Sequence, residues 1–168
     1  MENELQNLPE KDRIIETVNG LFLGTDQRDW VWVKKCFAPQ VHFDMTAMVG
    51  GEPTTLTPKQ IADGWKKGLK PLKAIHHQTG NFIIKITGDE ATAFCYGIAM
   101  HYLPNQTGQN TRTFVGSYDF HLKKKRERWQ IDLFKFNLKF IDGNQNLEAS
   151  QKGSRDLNRA ERSWPNSS

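Results

Sequence analysis

Two histidines stand side by side at His76 and His77, in a chain that has five. Imidazole titrates near neutral pH, so such a residue can bind metal, carry protons or simply occupy a strand. Successive strand side chains point to opposite faces, so adjacent histidines make a poor chelate. A metal centre would need further ligands, such as His42, Asp44 or His101. No His-x-His, HExxH or Cys/His cluster provides them, and no metal is expected. No GxSxG elbow, Walker motif or GxGxxG loop is present either, which argues against an activated serine and against nucleotide binding.

His101 ends a run in which one face carries Ala91, Ala93, Cys95, Gly97 and Ala99. Small residues on one strand face leave room for a helix or a ligand. A histidine there is either a packed core residue or a pocket group, and the same choice applies to His77. Asp26 is the acid to weigh beside them. It or Asp29 can cap a short helix. Set against an imidazole, an aspartate instead fixes one tautomer and raises its basicity.

These residues need elements to hold them. Ile14, Ile15, Val18, Leu21 and Phe22 recur at helical spacing, predicting a helix over 9–25. A polar corner at Asp26 to Asp29 leads to a short helix with Trp30, Val33 and Phe37 on one side, stopped by Pro39. Val41 to Met45 alternates as a strand, and 48–58 reads as a Gly/Pro-rich loop. Thr57-Pro58 starts a third helix, with Ile61, Trp65 and Leu69 on its buried side. Four long strands follow, near 76–87, 91–103, 111–123 and 129–141. The apolar phase slips between Leu133 and Phe134, as at a β-bulge that bends a sheet. Helices first and antiparallel strands after predict an α+β fold, three helices packed on one face of a curved sheet. One domain over 1–144 and a polar tail over 145–168, partly helical near 157–164, are expected. The curved sheet and its helices can enclose a mostly apolar pocket.

Composition narrows the partners. The net charge of +4 is modest. The basic run at Lys123 to Arg126 reads as a solvated hairpin tip, so no nucleic-acid partner is expected. No apolar run reaches the ~20 residues that span a bilayer, so no membrane partner is expected. The opening residues are polar and acidic, unlike a secretory signal, and Cys36 and Cys95 lack disulfide or CxxC spacing. A cytoplasmic location with reduced thiols is the expectation.

The segment TDQRDWVWVKKCFAPQVHFDM resembles the helical opening of SnoaL-like proteins, which have the cystatin-like, nuclear-transport-factor-like α+β cone. The likeness runs from about Ile14 to Asn144 and is nearest to the branch of scytalone dehydratase and bile-acid 7α-dehydratase. It rests on the Asp-x-x-Asp-Trp opening, the His-x-x-Gly of His77 and Gly80, and the strand histidine His101. The resemblance implies Asp26, His77 and His101 as catalytic residues, with His77 facing the pocket and His76 away. It pairs Asp26 with His101 as the base and gives His77 a role at the departing hydroxyl. Two positions depart from the pattern: Thr25 stands for a tyrosine and Tyr118 for an asparagine. Tyr118 is the candidate oxyanion donor. Trp30, Met45, Trp65, Phe114 and Phe136 are expected to bind substrate, within an apolar wall that also draws on Phe22, Phe43, Phe134 and Leu138.

The activity so implied is cofactor-independent dehydration of a small cyclic hydroxy-ketone. Isomerisation or cyclisation from the same base, and ligand binding without catalysis, are the alternatives. The resemblance also implies a homo-oligomer, dimer or trimer, joined through the outer sheet face at residues such as Phe94, Ile98 or Trp129.

Overall fold

The computed structural model describes residues 8–150. Helix α1 (Leu8–Asp26) buries Ile14, Val18, Leu21 and Phe22 against the sheet, the stripe read from their spacing. The chain then reverses within three residues. Arg28 takes a positive φ of 59° there. Its guanidinium donates to the carbonyls of Leu69 (3.1 Å) and Leu72 (2.7 Å), which pins the corner to the far end of the third long helix. Asp29 caps helix α2 (Trp30–Cys36) by accepting from the Val31 and Trp32 N–H groups. The capping duty is thus Asp29's, and Asp26 is left for other work.

Strand β1 (Phe37–Asp44) begins earlier than expected. Phe37 pairs with Ile131 and is buried, so it belongs to the sheet rather than to α2. Pro39 falls where the register with the neighbouring strand is interrupted, between Phe37 and His42, so its missing N–H breaks no ladder. The stretch expected to be loop holds a single helical turn, α3 (Thr46–Val49), and a short strand, β2 (Thr54–Leu56), antiparallel to β1. Asp44 accepts from the Thr46 hydroxyl (2.7 Å) and backbone (3.0 Å), bonds that hold its carboxyl below the usual range. Helix α4 (Pro58–Leu69) starts with a full capping box between Thr57 and Gln60.

Four long strands complete the chain: β3 (Ala74–Thr87), β4 (Glu90–Tyr102), β5 (Thr111–Lys125) and β6 (Arg128–Gly143). The six-stranded sheet runs β2-β1-β6-β5-β4-β3, with β1 and β6 parallel and every other pair antiparallel. The phase slip in β6 is real. His121 pairs with Leu133 while Leu122 pairs with Ile131, which leaves Asp132 as the extra residue. Ile131 and Phe134 then both turn into the core. A second slip, between Val115 and Gly116, leaves Lys139 unpaired in the same way. Such bulges bend a strand, and the bent sheet wraps around α1 and α4.

Two sequence readings change. Trp129, expected on the outer face, is buried, with its indole N–H donating to Glu10 (2.8 Å). Residues 145–150 pack back on the body: Leu147 is fully buried with Leu72, Ile75 and Leu103. The helix expected near 157–164 lies outside the described residues.

The small-residue face of β4 makes room in two ways. Ala99 leaves space beside the concave centre, whereas Gly97 makes room for a neighbour, because a Cβ there would run into the Tyr118 ring. Gly97→Ala is therefore expected to destabilise the fold by about 1–3 kcal/mol through overpacking. Urea unfolding checks the size. An unchanged midpoint would mean that the Tyr118 ring yields freely.

Candidate active site

The last residue of α1 reaches the edge strand. In β3, at the end of the sheet, alternate N–H groups have no strand partner. One of them, on His77, donates to Oδ2 of Asp26 (2.8 Å). The other carboxylate oxygen, Oδ1, meets Nδ1 of the same His77 ring at 2.6 Å. A carboxylate offers only acceptors, so Nδ1 carries the hydrogen and Nε2 is the free nitrogen. Both side chains are largely buried, 11% exposed for His77 and 14% for Asp26. Phe22 stacks on the ring at 5.0 Å.

The expected partnership of Asp26 with His101 is not the one formed. Residue 77 passes beside the end of α1, while His101 lies one strand further in, opposite Ile75 and Arg112. There Nη2 of Arg112 contacts Nδ1 of His101 at 3.1 Å. Guanidinium nitrogens only donate, so this Nδ1 accepts and the hydrogen sits on Nε2. Burial, reinforced by the Arg112 charge, lowers the His101 pKa to about 4. The two histidines therefore hold opposite tautomers: His77 presents a free nitrogen and His101 presents an N–H.

Both open on one cavity of about 140 Å³. His77 pairs across the sheet with Ala99, two residues before His101, so the imidazoles are diagonal neighbours on the concave face. Met45, Trp65, Phe114, Tyr118 and Phe136 line the cavity, with Phe22 and Phe134. Trp30 does not. As the first residue of α2 it is half-buried and packs against the hydrophobic core instead. Phe43 stands behind the wall, stacked on Phe134 at 5.2 Å. Thr25 also reaches the cavity but spends its hydroxyl on the Leu21 carbonyl (2.8 Å). Burial pushes the Tyr118 phenol up, so it stays protonated, and it has no hydrogen-bond partner among the described residues.

Arg112 and Glu148 were missed. The signal was present: Arg112 is in phase with Phe114, Tyr118 and Phe120, which face inward on β5, and a lone arginine on a core-facing phase asks for a partner. Burial pushes the Cys36 and Cys95 thiols up to about 12, so neither is a ready nucleophile. Among the described residues, no group of three or more His, Cys, Asp or Glu side chains is placed to hold a metal ion, and no helix is long and apolar enough to cross a membrane.

A family model of the SnoaL-like domain matches residues 6–135. No curated protein matches the chain by sequence. Among solved structures, the Kfla4162 protein of Kribbella flavida aligns with a TM-score of 0.78 at 20% identity, covering 83% of this chain and 96% of its own. A candidate scytalone dehydratase from Novosphingobium aromaticivorans aligns at 0.74 with 13% identity, over 86% and 93%. The hexachlorocyclohexane dehydrochlorinase LinA-type3 of Novosphingobium barchaimii aligns at 0.70 with 11% identity, over 84% and 94%. At these identities the likeness is one of fold.

The electrostatics predict a titration. In the unfolded chain His101 binds its proton near 6.5, and in the folded chain only near 4. Its neutral form thus favours folding above pH 6.5, and that contribution is lost as pH falls from 6.5 to 4. Proton NMR should show the His101 ring turning only near pH 4, with His101→Gln weakening the acid slope of urea midpoints. A His101 midpoint near 6.5 would contradict the burial and charge assigned here. Asp26→Asn should release the Nδ1–H preference of His77, visible as mixed tautomers by nitrogen NMR. A single unchanged tautomer would mean that the carboxylate does not set it.

Proposed function

The chain belongs to the SnoaL-like family, whose members share a cystatin-like α+β cone, and from that premise we propose that it is a cofactor-independent dehydratase of a small cyclic hydroxy-ketone. The observation that carries the reading is the pair of histidines in opposite tautomers on one apolar cavity. A base and a fixed hydrogen-bond donor are what proton removal beside a carbonyl needs. Two fold neighbours bear names for eliminations, one of hydrogen chloride and one of water.

The steps follow from the tautomers. Nε2 of His77 takes the proton α to the substrate carbonyl. Asp26 holds the ring in place and stabilises the imidazolium that forms. Nε2–H of His101 and the Tyr118 hydroxyl donate to the enolate oxygen. The β carbon–oxygen bond then breaks as the double bond forms. His101 is neutral and keeps its only ring proton, so His77 returns the proton it took to the leaving hydroxyl, which departs as water. One base serving both atoms places hydrogen and hydroxyl on the same face of the ring.

Size narrows the substrate. An engineered apolar cavity of about 150 Å³ holds a benzene ring. The cavity here, about 140 Å³ and walled by Trp65, Phe114, Phe134 and Phe136, fits one six-membered ring. The Arg112 charge beside His101 is neutralised by Glu148, which favours an uncharged ligand.

Incubation with a cyclohexanone bearing a β-hydroxyl should give the conjugated enone, read by its ultraviolet absorbance. His77→Ala should lower turnover by about 10²-fold or more. A product of unchanged mass with a moved double bond would make the protein an isomerase instead. Saturable binding with no product would make it a binding protein.

The outer sheet face exposes Tyr96, Ile98, Met100 and Phe140 together, which supports self-association there. Sedimentation should find a dimer or trimer that Ile98→Asp dissociates. A monomeric wild type would remove that part of the proposal.

A further inference from the structure

Beyond the two histidines, one buried cation has no part in the steps above. Arg112 lies directly across from His101 in the β4–β5 register. Its side chain is only 14% exposed. Four bonds hold it: Nη2 to Nδ1 of His101 (3.1 Å), Nη2 to Oε1 of Glu148 (2.6 Å), Nη1 to Oε2 of Glu148 (2.8 Å) and a longer one from Nη1 to the Gln145 carbonyl (3.4 Å). The Phe114 ring lies under the guanidinium carbon at 5.2 Å and meets the His101 ring edge-on at 5.1 Å, so one phenyl contacts both.

Glu148 is brought there by a sharp turn. Gly143 ends β6 with φ of 83°, and a Cβ at that position would lie 2.5 Å from the Thr111 carbonyl oxygen. The N–H of Asn144 then donates to that same oxygen (2.8 Å). The Asn144 side chain donates to Gln109 and Ser150 and accepts from the Asn146 N–H, which folds residues 144–150 into a tight cap. Leu147 anchors this cap in its own apolar cluster, one residue before Glu148. Burial works against the Glu148 carboxylate, yet the Arg112 bonds and charge hold it below the usual range, so it remains an anion at neutral pH.

We infer that Arg112, gripped by Glu148, is a positioning residue that fixes His101 as the neutral Nε2–H donor to the substrate oxygen. The inference rests on the elimination reading for the word substrate, but not for the state of the histidine. A guanidinium cannot accept, so it forbids a hydrogen on Nδ1. Its charge also opposes a second proton on the ring. The bidentate carboxylate fixes the guanidinium plane, and with it the direction of the ring. A lysine would supply charge without that plane. Among the described residues, the titratable groups that bear on His101 are Arg112, His77, Glu148 and Asp26, and of these Arg112 is the one hydrogen-bonded to it.

The test reads the histidine itself. Nitrogen and proton NMR on the full chain would follow His101 in wild type, Arg112→Leu and Arg112→Gln, with His101→Gln assigning the signal. Wild type should show one neutral tautomer, unprotonated at Nδ1, down to about pH 4. Arg112→Leu should give mixed tautomers and a midpoint raised by roughly one unit or more, since a charge and a donor are both lost. If that variant does not fold, Arg112→Gln keeps a polar side chain and should still raise the midpoint. Unchanged tautomer and midpoint in either folded variant would overturn the inference. With turnover in hand, Arg112→Leu should lower kcat about tenfold or more and leave KM within a few-fold, as loss of a transition-state donor does. A shifted histidine in a protein that turns over no hydroxy-ketone would uphold the positioning role and sink the elimination. Turnover with an unmoved histidine would do the reverse.

Discussion

The site depends on one carboxylate that is shared between the backbone and the side chain of a single residue. Asp26 takes the free edge N–H of β3 with one oxygen and the His77 ring with the other. The first bond fixes where the strand lies relative to α1. The second fixes how the ring is turned. Because both end on residue 77, a shift of the strand cannot occur without moving the imidazole. An edge strand with spare donors is usually exposed to pairing by another chain. Here the helix end occupies one of those donors and uses it to aim the site.

The remaining parts are arranged so that Asp26 is free for this. Asp29 carries the cap of α2, and Arg28 ties the corner to the Leu69 and Leu72 carbonyls. The bulges at Asp132 and Lys139 bend β6 so that the sheet closes around Phe22 and Phe134. Two histidines on neighbouring strands then receive different partners. One has an acceptor and one has a donor, and their opposite tautomers follow from that. Neither imidazole is special in sequence.

Much of this was legible in the chain. The helical stripe through Ile14, Val18 and Leu21, the Thr57-Pro58 start and the four long strands all follow from local periodicity. The assignment of His77 inward comes from the family resemblance; alternation within the strand adds only that His76 must then face away. Pairing across the sheet is not local. The choice of His77 over His101 as the partner of Asp26 depends on the lateral position of the α1 end over the sheet, which no spacing encodes. Phe37 reads as helical because its neighbours do, and only the tertiary pairing with Ile131 makes it a strand residue. Trp129 looks exposed beside a basic run, yet α1 supplies Glu10 to cover its indole N–H. Arg112 could have been suspected from its phase. Glu148 could not, because it reaches the site through a reversal at Gly143.

The way residues 144–150 close over Arg112 has a consequence for how the chain acquires its site. Asp26 and His77 are 51 residues apart, and Arg112 and Glu148 are 36 apart. Contacts of such separation form late, after the loop entropy between them has been spent. As the chain is synthesised, β4 and β5 can zip together with a guanidinium at their inner face before its counter-ion exists. Until Gly143 turns the chain and Leu147 seats, that cation has His101 and water beside it but no counter-ion. Seating of residues 144–150 therefore supplies that counter-ion after the strands have paired, and the guanidinium plane that orients His101 is fixed only then.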